Sequence, residues 1–300
     1  MIQKDGIIIV DKESGPSSFR VVERAKGLLK VKKAGHAGTL DPFATGVLVV
    51  LLNQGTKLSP FLMSQDKVYK AALRLGIETD TQDLTGRIIK EKDIGRLTRK
   101  AIKHKTLQFL GTIKQVPPPY SAVHHNGKRA YELARNGVPI NLPPRDVRVD
   151  YINILSVDLP YVWIEVGCSS GTYIRTLAAD LGRSLGAGAH LTFLRRIKNG
   201  PFLADNAFTV TQIAQHLSNN TVDEVIIPLK DALKGMMEVE IPDQLAIKIR
   251  NGYKPHKGEL SWENTPYFDS GGYLKAVMGE KLVGILKEAS NGYDIIRTFT

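Results

Sequence analysis

GHAGTLDPFATG occupies residues 35–46 and runs directly into the apolar segment VLVVLL at 47–52. The stretch holds one carboxylate, Asp41, and no Lys, Arg or Glu. Glycines at 35, 38 and 46 let the backbone turn sharply and approach a ligand closely. Asp-Pro is also a common turn dipeptide, so a turn or cap role for Asp41 stands beside a chemical one. The adjoining apolar strand favours partial desolvation of the carboxylate, and His36 is near it in sequence. No second acid is local, which counts against a paired-carboxylate hydrolase.

On either side the pattern alternates between strand and helix. GIIIVDK (6–12) reads as a buried strand, and SSFRVVERAKGLLK (17–30) as a helix. Ser17 or Ser18 caps that helix; Val21, Val22, Ala25, Leu28 and Leu29 share one face and Arg20, Arg24, Lys26 and Lys30 the other. Residues 44–53 and 67–76 read as strands, and 78–87 as a turn-rich hairpin connection. A helix is expected over 97–111, with Thr98 as cap and Gly111 beyond its end. Three prolines keep 115–123 extended. A short helix over 128–137 precedes a strand pair, 145–169, split at Pro160. Then follow a helix (171–186), a strand (189–200), a helix (209–217) and a linker starting at 218–221. Strands and helices mix without strict alternation, so an α+β fold is expected. The central sheet should be mixed or antiparallel and flanked by helices. Two domains are expected, 1–240 and a small β-rich module, 241–300.

The chain has 300 residues, 42% hydrophobic and 24% charged, and a net charge of +11. This is the balance of a globular protein with a substantial core. A basic excess favours a polyanionic partner, nucleic acid first. It is unevenly spread: residues 99–150 carry ten basic and three acidic side chains, whereas 241–300 carry eight and seven. The longest apolar run, about six residues, is too short to span a bilayer. One cysteine, Cys168, allows neither an internal disulfide nor a multi-cysteine zinc site, and a cytoplasmic setting is the default. No phosphate loop, dinucleotide fingerprint, HExxH or GxSxG is present. The carboxylates at 78, 80 and 83 lack calcium-loop spacing. A reaction without metal or cofactor, using one carboxylate, is what remains.

Residues 35–48 resemble the signature of the TruB family of tRNA pseudouridine synthases, roughly G-H-x-G-x-L-D-P-x-A-x-G-x-L, at every fixed position. VDK (10–12), GTKLS (55–59), VYKAALRLGIETDTQDLTG (68–86), QVPPPYSAVHHNGKRAYELARNG (115–137), SSGTYIRTLAADLG (169–182) and AHLTFLRR (189–196) match in order. One departure is DKESGP (11–16), where the family often has proline directly after the lysine. The tail, 241–300, is similar to the family's PUA-like module more loosely.

The resemblance implies isomerisation of uridine 55 in the T-arm loop of tRNA by base flipping, with Asp41 as the catalytic residue. Arg175 then pairs with Asp41, and Tyr69 stacks on the flipped uracil. Tyr173 lines the pocket, Leu194 forms an apolar wall, and His36 sits beside the flipped nucleotides. Lys12 and Lys57 also match, as structural or phosphate-facing cations. It further implies no cofactor, no metal, no guide RNA, no membrane and a monomer. Other readings stay open: a non-catalytic RNA chaperone using the same groove, a small-molecule enzyme with Asp41 as nucleophile, and a guide-dependent synthase. Each of Tyr69, Tyr173, Arg175, Leu194 and His36 is also at home in ordinary packing. Whether 118–137 orders only on RNA is open in sequence.

Overall fold

β-Branched residues dominate the first-half apolar runs, and such runs fill both faces of a covered sheet. A computed structural model describes residues 4–121, 123–125, 127–136, 138–260 and 272–300. The chain opens with β1 (Gly6–Lys12), α1 (Ser18–Leu29), β2 (Ala34–His36), β3 (Thr45–Leu52), α2 (Ser59–Met63) and β4 (Lys67–Leu75). A hairpin of β5 (Ile77–Thr79) and β6 (Ile88–Glu91) leads to α3 (Arg99–Thr106) and β7 (Gly111–Gln115). A two-residue pair, β8 (His124–His125) and β9 (Lys128–Arg129), leads into α4 (Ala130–Arg135). Next come β10 (Arg145–Asp158), β11 (Tyr161–Cys168), α5 (Ile174–Ser184), β12 (Ala189–Asn199) and β13 (Phe202–Leu203). The chain finishes with α6 (Val210–Ser218), α7 (Leu229–Ala232), β14 (Met237–Glu240), α8 (Asp243–Arg250), β15 (Tyr273–Met278), β16 (Lys281–Ala289) and β17 (Gly292–Thr298).

Nine strands form the central sheet in the order β1-β3-β12-β4-β11-β10-β7, with β2 added at β3 and β13 at β12. Within this sheet, among the described residues, only β3 and β12 pair in parallel. The fold is therefore α+β with a mixed sheet. α1 covers one face of β1 and β3, packing Val21, Val22 and Ala25 on Ile8, Val10, Leu48 and Val50. α5 covers β4, β11 and β12 through Ile174, Leu177, Ala178 and Leu181. On their other face, β1 and β3 pack Ile7, Ile9, Val47 and Val49 against Val277, Leu282, Ile285 and Phe299 from the chain's end. That end forms a second sheet, β14-β15-β16-β17, closed by Leu245, Ala246 and Ile249 of α8. No described helix is long and apolar enough to cross a membrane.

Three elements differ from the sequence expectation. The helix expected over 97–111 stops at Thr106 and tightens into a 3₁₀ turn, Leu107–Phe109, before Gly111 opens β7. The helix expected from 171 begins at Ile174, because Tyr173 is extended at φ −95°, ψ 107°. Residues 218–221 are no linker: they close α6, and the chain then returns to the sheet. There Ile227 exchanges backbone hydrogen bonds with Ile7 at 2.9 and 2.8 Å, and the second sheet starts only at Met237.

Candidate active site

The loop between β2 and β3 is held from below by buried polar groups. Lys12, 1% exposed, ends β1. Its Nζ donates to the carbonyls of Glu13, Pro42 and Ala44 at 2.9, 2.9 and 2.7 Å. Ser18 Oγ, at the start of α1, donates to the Leu40 carbonyl at 3.0 Å and accepts from the Leu40 N–H at 2.9 Å. Arg196 of β12, also 1% exposed, donates from Nε to the Val47 carbonyl (2.7 Å) and from Nη2 to that of Gly38 (3.0 Å). Lys12 and Arg196 flank the same residue, since each is paired with Gly46 of β3 from opposite sides. Gly46 has φ +99°, and a Cβ there would lie 2.2 Å from the Arg196 carbonyl oxygen. Burial pushes the Lys12 ammonium down to about 8, while neighbouring Asp41 pulls it upward.

Arg175, in the first turn of α5, meets Asp41 with two nitrogens. Nε lies 2.9 Å from Oδ2, and Nη2 donates to Oδ1 at 3.0 Å. The arginine side chain is 4% exposed and the Asp41 side chain 29%, so the carboxylate alone reaches solvent. Nη2 also donates to the Tyr120 carbonyl at 2.9 Å, and Nη1 to that of Thr81 at 3.2 Å. Nη1 sits 3.5 Å from Asp83 Oδ2. Burial raises the Asp41 carboxyl above its usual range; Arg175 and Lys12 oppose this, and Asp83 reinforces it.

Tyr69 of β4 is 7% exposed, and its phenol is pushed up by burial, with Arg196 opposing. Leu194 of β12 lies across from Ala71 of β4 and joins the same buried cluster as Tyr69, Leu40 and Ala44. Tyr173 is the extended N-cap of α5, two residues before Arg175. Gln115 clamps its backbone, accepting from its N–H at 2.7 Å and donating to its carbonyl at 3.0 Å. The Arg145 guanidinium lies over its ring, 5.8 Å from the centroid. His36 is half-buried in β2, opposite Val50 of β3. Thus Asp41 and Arg175 touch, Tyr69 and Leu194 share the core under them, and Tyr173 rims the same helix start. Lys57 lies elsewhere: its Nζ donates to the Thr298 carbonyl at 2.7 Å and stands over the Phe299 ring. Lys12 and Lys57 are therefore structural cations rather than phosphate-facing ones.

Sequence reasoning missed Asp83. The local absence of a second acid was correct for residues 35–46, but the turn after β5 brings one in from 42 residues downstream. Asp83 is 4% exposed; its Oδ1 accepts from Thr81 Oγ1, Thr85 Oγ1 and the Thr85 N–H at 2.8, 2.6 and 2.9 Å. Those bonds are the signal: TQDLT places hydroxyls two residues either side of the acid, a pattern that supplies a buried carboxylate with local donors. Gln115 and Arg196 were also missed, because their partners are backbone atoms that no motif displays. The segment 118–137 touches the site through the Tyr120 carbonyl; its residues 122, 126 and 137 lie outside the described ones.

Comparison with known proteins places this geometry in context. Residues 26–174 match the model of the TruB family pseudouridylate synthase N-terminal domain, and 175–236 that of the tRNA pseudouridylate synthase B C-terminal domain. The tRNA pseudouridine synthase B of Syntrophus aciditrophicus is 44% identical over 90% of this chain and 86% of its own. That of Geotalea uraniireducens is 39% identical over 96% and 95%. Among solved structures, a chain of a Cbf5-Nop10-Gar1 complex superposes with TM-score 0.75 at 26% identity, over 99% of this chain and 84% of that one.

Proposed function

The chain belongs to the TruB family of pseudouridylate synthases, and we propose that it converts uridine 55 in the T-arm loop of tRNA to pseudouridine, with Asp41 as the catalytic carboxylate. The observation that carries the reading is the two-nitrogen contact between buried Arg175 and part-exposed Asp41. A polyanionic substrate repels a free acid. A buried guanidinium fixes the acid in one rotamer and favours its ionised form against the opposing effect of burial.

The isomerisation breaks the bond from ribose C1′ to uracil N1 and forms one from C1′ to C5. N1 gains a proton and C5 loses one, so substrate and product have the same mass. Asp41 supplies the carboxylate that lets the base detach and rejoin, and such a group acts as nucleophile or base at the ribose or the ring. Tyr69 offers a flat face to the flipped base and a protonated phenol, held neutral by burial. Leu194 excludes water from the opposite side. The basic side chains of 20–33 and 99–105 hold the RNA backbone, offsetting the cost of extruding the base. No guide RNA is required, and the second sheet touches the substrate away from the reacting uridine.

The test is a T-arm stem-loop carrying tritium at uridine C5, given to the wild type and to Asp41→Asn. Release of tritium by the wild type alone is expected. Equal release by both would remove Asp41 from the reaction. Binding without release by either would leave an RNA chaperone.

A further inference from the structure

Strand residues alternate between faces, so β4, β11 and β12 present a second surface besides the one under α5. Tyr69, Ile164 and Leu194 point into the core beneath α5. Their neighbours point the other way. On that side Phe193, Ala72 and Trp163 stand in one row across β12, β4 and β11. The small Ala72, 2% exposed, lies between two rings whose centroids are 5.2 Å apart. Trp163 remains 37% exposed, and Tyr161, next on the same face of β11, 39%. Single exposed aromatics are ordinary, but a contiguous exposed group on a sheet is not.

The surrounding rows are cationic. Arg195 and Lys70 lie in the row beside the rings, with Glu165, and Arg74 lies across from Tyr161. Lys198 and Val68 form the row beyond. Among the described residues no carboxylate pairs with Lys70, Arg74 or Lys198. Of the acids on this face, Glu165 accepts from the Tyr151 hydroxyl at 3.1 Å, Asp11 holds Arg195 by two bonds of 2.9 and 2.8 Å, and Asp158, across from Tyr161 at the end of β10, is exposed. Three cations without a carboxylate partner around exposed rings, against one exposed acid, complement an anion that also carries flat apolar groups. A single-stranded nucleic acid is that ligand: its bases stack on aromatic faces and its phosphates meet Lys and Arg.

We propose that this open face of β4, β11 and β12 is a second RNA-binding surface. Trp163 and Phe193 stack unpaired bases there, and Lys70, Arg74 and Lys198 hold the adjoining phosphates. The surface lies across the sheet from Asp41, so its ligand is an unpaired segment other than the reacting loop. The inference does not depend on the chemistry assigned to Asp41.

The probe is hexa-adenylate, too short to fold, titrated into the full-length protein with filter binding and tryptophan fluorescence in parallel. Trp163→Ala is expected to weaken binding about tenfold, within the range of one lost stacking contact. Arg74→Glu and Lys198→Glu weaken it by a similar factor and flatten its salt dependence. Trp163→Phe keeps the affinity within about twofold, because a ring remains, yet loses the share of the fluorescence quenching that Trp163 contributes. Turnover of the T-arm stem-loop by these variants reports that they are folded. Unchanged affinity in both Trp163→Ala and Lys198→Glu overturns the proposal. Failure of the wild type to bind the hexamer at low salt also overturns it and would turn attention to a protein occupant.

Discussion

At Arg175 one guanidinium serves two carboxylates, Asp41 and Asp83, and also donates to the carbonyls of Thr81 and Tyr120. Such a cation is immobile, and so is the acid it holds. Asp83 also acts on Asp41 through space, raising its carboxyl, in the same direction as burial and against Arg175. The signs give a test. Asp83→Asn removes a repelling charge, so Asp41 ionises at lower pH and the acid limb of the tritium-release profile moves down. The same change frees one side of Arg175, and kcat falls about tenfold, or ~1.4 kcal/mol of transition-state stabilisation. An acid limb that stays in place assigns that limb to another group. Lys12 gives the alkaline counterpart. Its ammonium is held down to about 8 by burial, below the unfolded value near 10.5. Between those two values the unfolded chain keeps the proton that the folded chain has lost. Lys12 therefore costs stability below about 8, and that cost is relieved as pH rises. Activity moves oppositely, because the neutral amine has two donors for three carbonyls and the Pro42–Ala44 turn loosens. Wild-type kcat is expected to fall above pH 8 while the melting temperature does not. In Lys12→Met the alkaline limb is absent and kcat is low throughout; a flat wild-type profile from pH 7 to 10 would refute this.

The parallel junction of β3 and β12 is the element on which the Asp41 loop hangs. Gly46 lies at its start, with Lys12 on one side and Arg196 on the other. Gly46→Ala adds a methyl 2.2 Å from a carbonyl oxygen at φ +99°, so strain and overlap act together. A loss of about 3 kcal/mol is expected from unfolding in urea, with a larger proportional loss of turnover; a loss below about 1 kcal/mol would show that the junction yields. The same elements show what sequence conveys. β1 and β3 were legible because their apolar runs are unbroken. β4 was legible from alternation, and α1 and α3 from the cap candidates at 17–18 and 98, of which Ser17 and Thr98 do cap. Helix starts failed where no cap residue exists: α5 is entered from extended Tyr173, fixed by Gln115 from β7. The pairing of β12 between β3 and β4 was not legible, since strand order depends on contacts across 150 residues or so of chain and no turn encodes it. For the same reason the motif around Asp41 announced a site, whereas Asp83 and Arg196 gave no notice of belonging to it.

Across the whole molecule the last strands are part of the catalytic sheet's core. Near-neutral charge suggests that 241–300 supports RNA binding without anchoring it, and that its removal would spare turnover at saturating RNA. Packing argues otherwise. Val277, Leu282, Ile285 and Phe299 share one buried cluster with Ile7, Val47 and Val49 of β1 and β3. Lys57 and Gln54 reach the Thr298 and Thr300 carbonyls at 2.7 Å each. Each large apolar side chain stripped of its cover costs about 1.5–3 kcal/mol, against a total stability of about 5–15 kcal/mol. Truncation at 240 would also leave β14 without β15, its partner. The expected result is a truncated chain that aggregates or melts at least 10 °C lower, and so loses turnover through unfolding rather than through lost RNA contacts. Surface changes separate the two effects. Lys281→Glu, at an exposed position of β16, should leave the melting temperature and stem-loop turnover unchanged and raise KM only for full-length tRNA. Lys57→Met should lower the melting temperature by a few degrees at unchanged KM for either RNA. A truncated chain that melts like the wild type and fails only on full-length tRNA would show that the second sheet is a separable RNA-binding module after all.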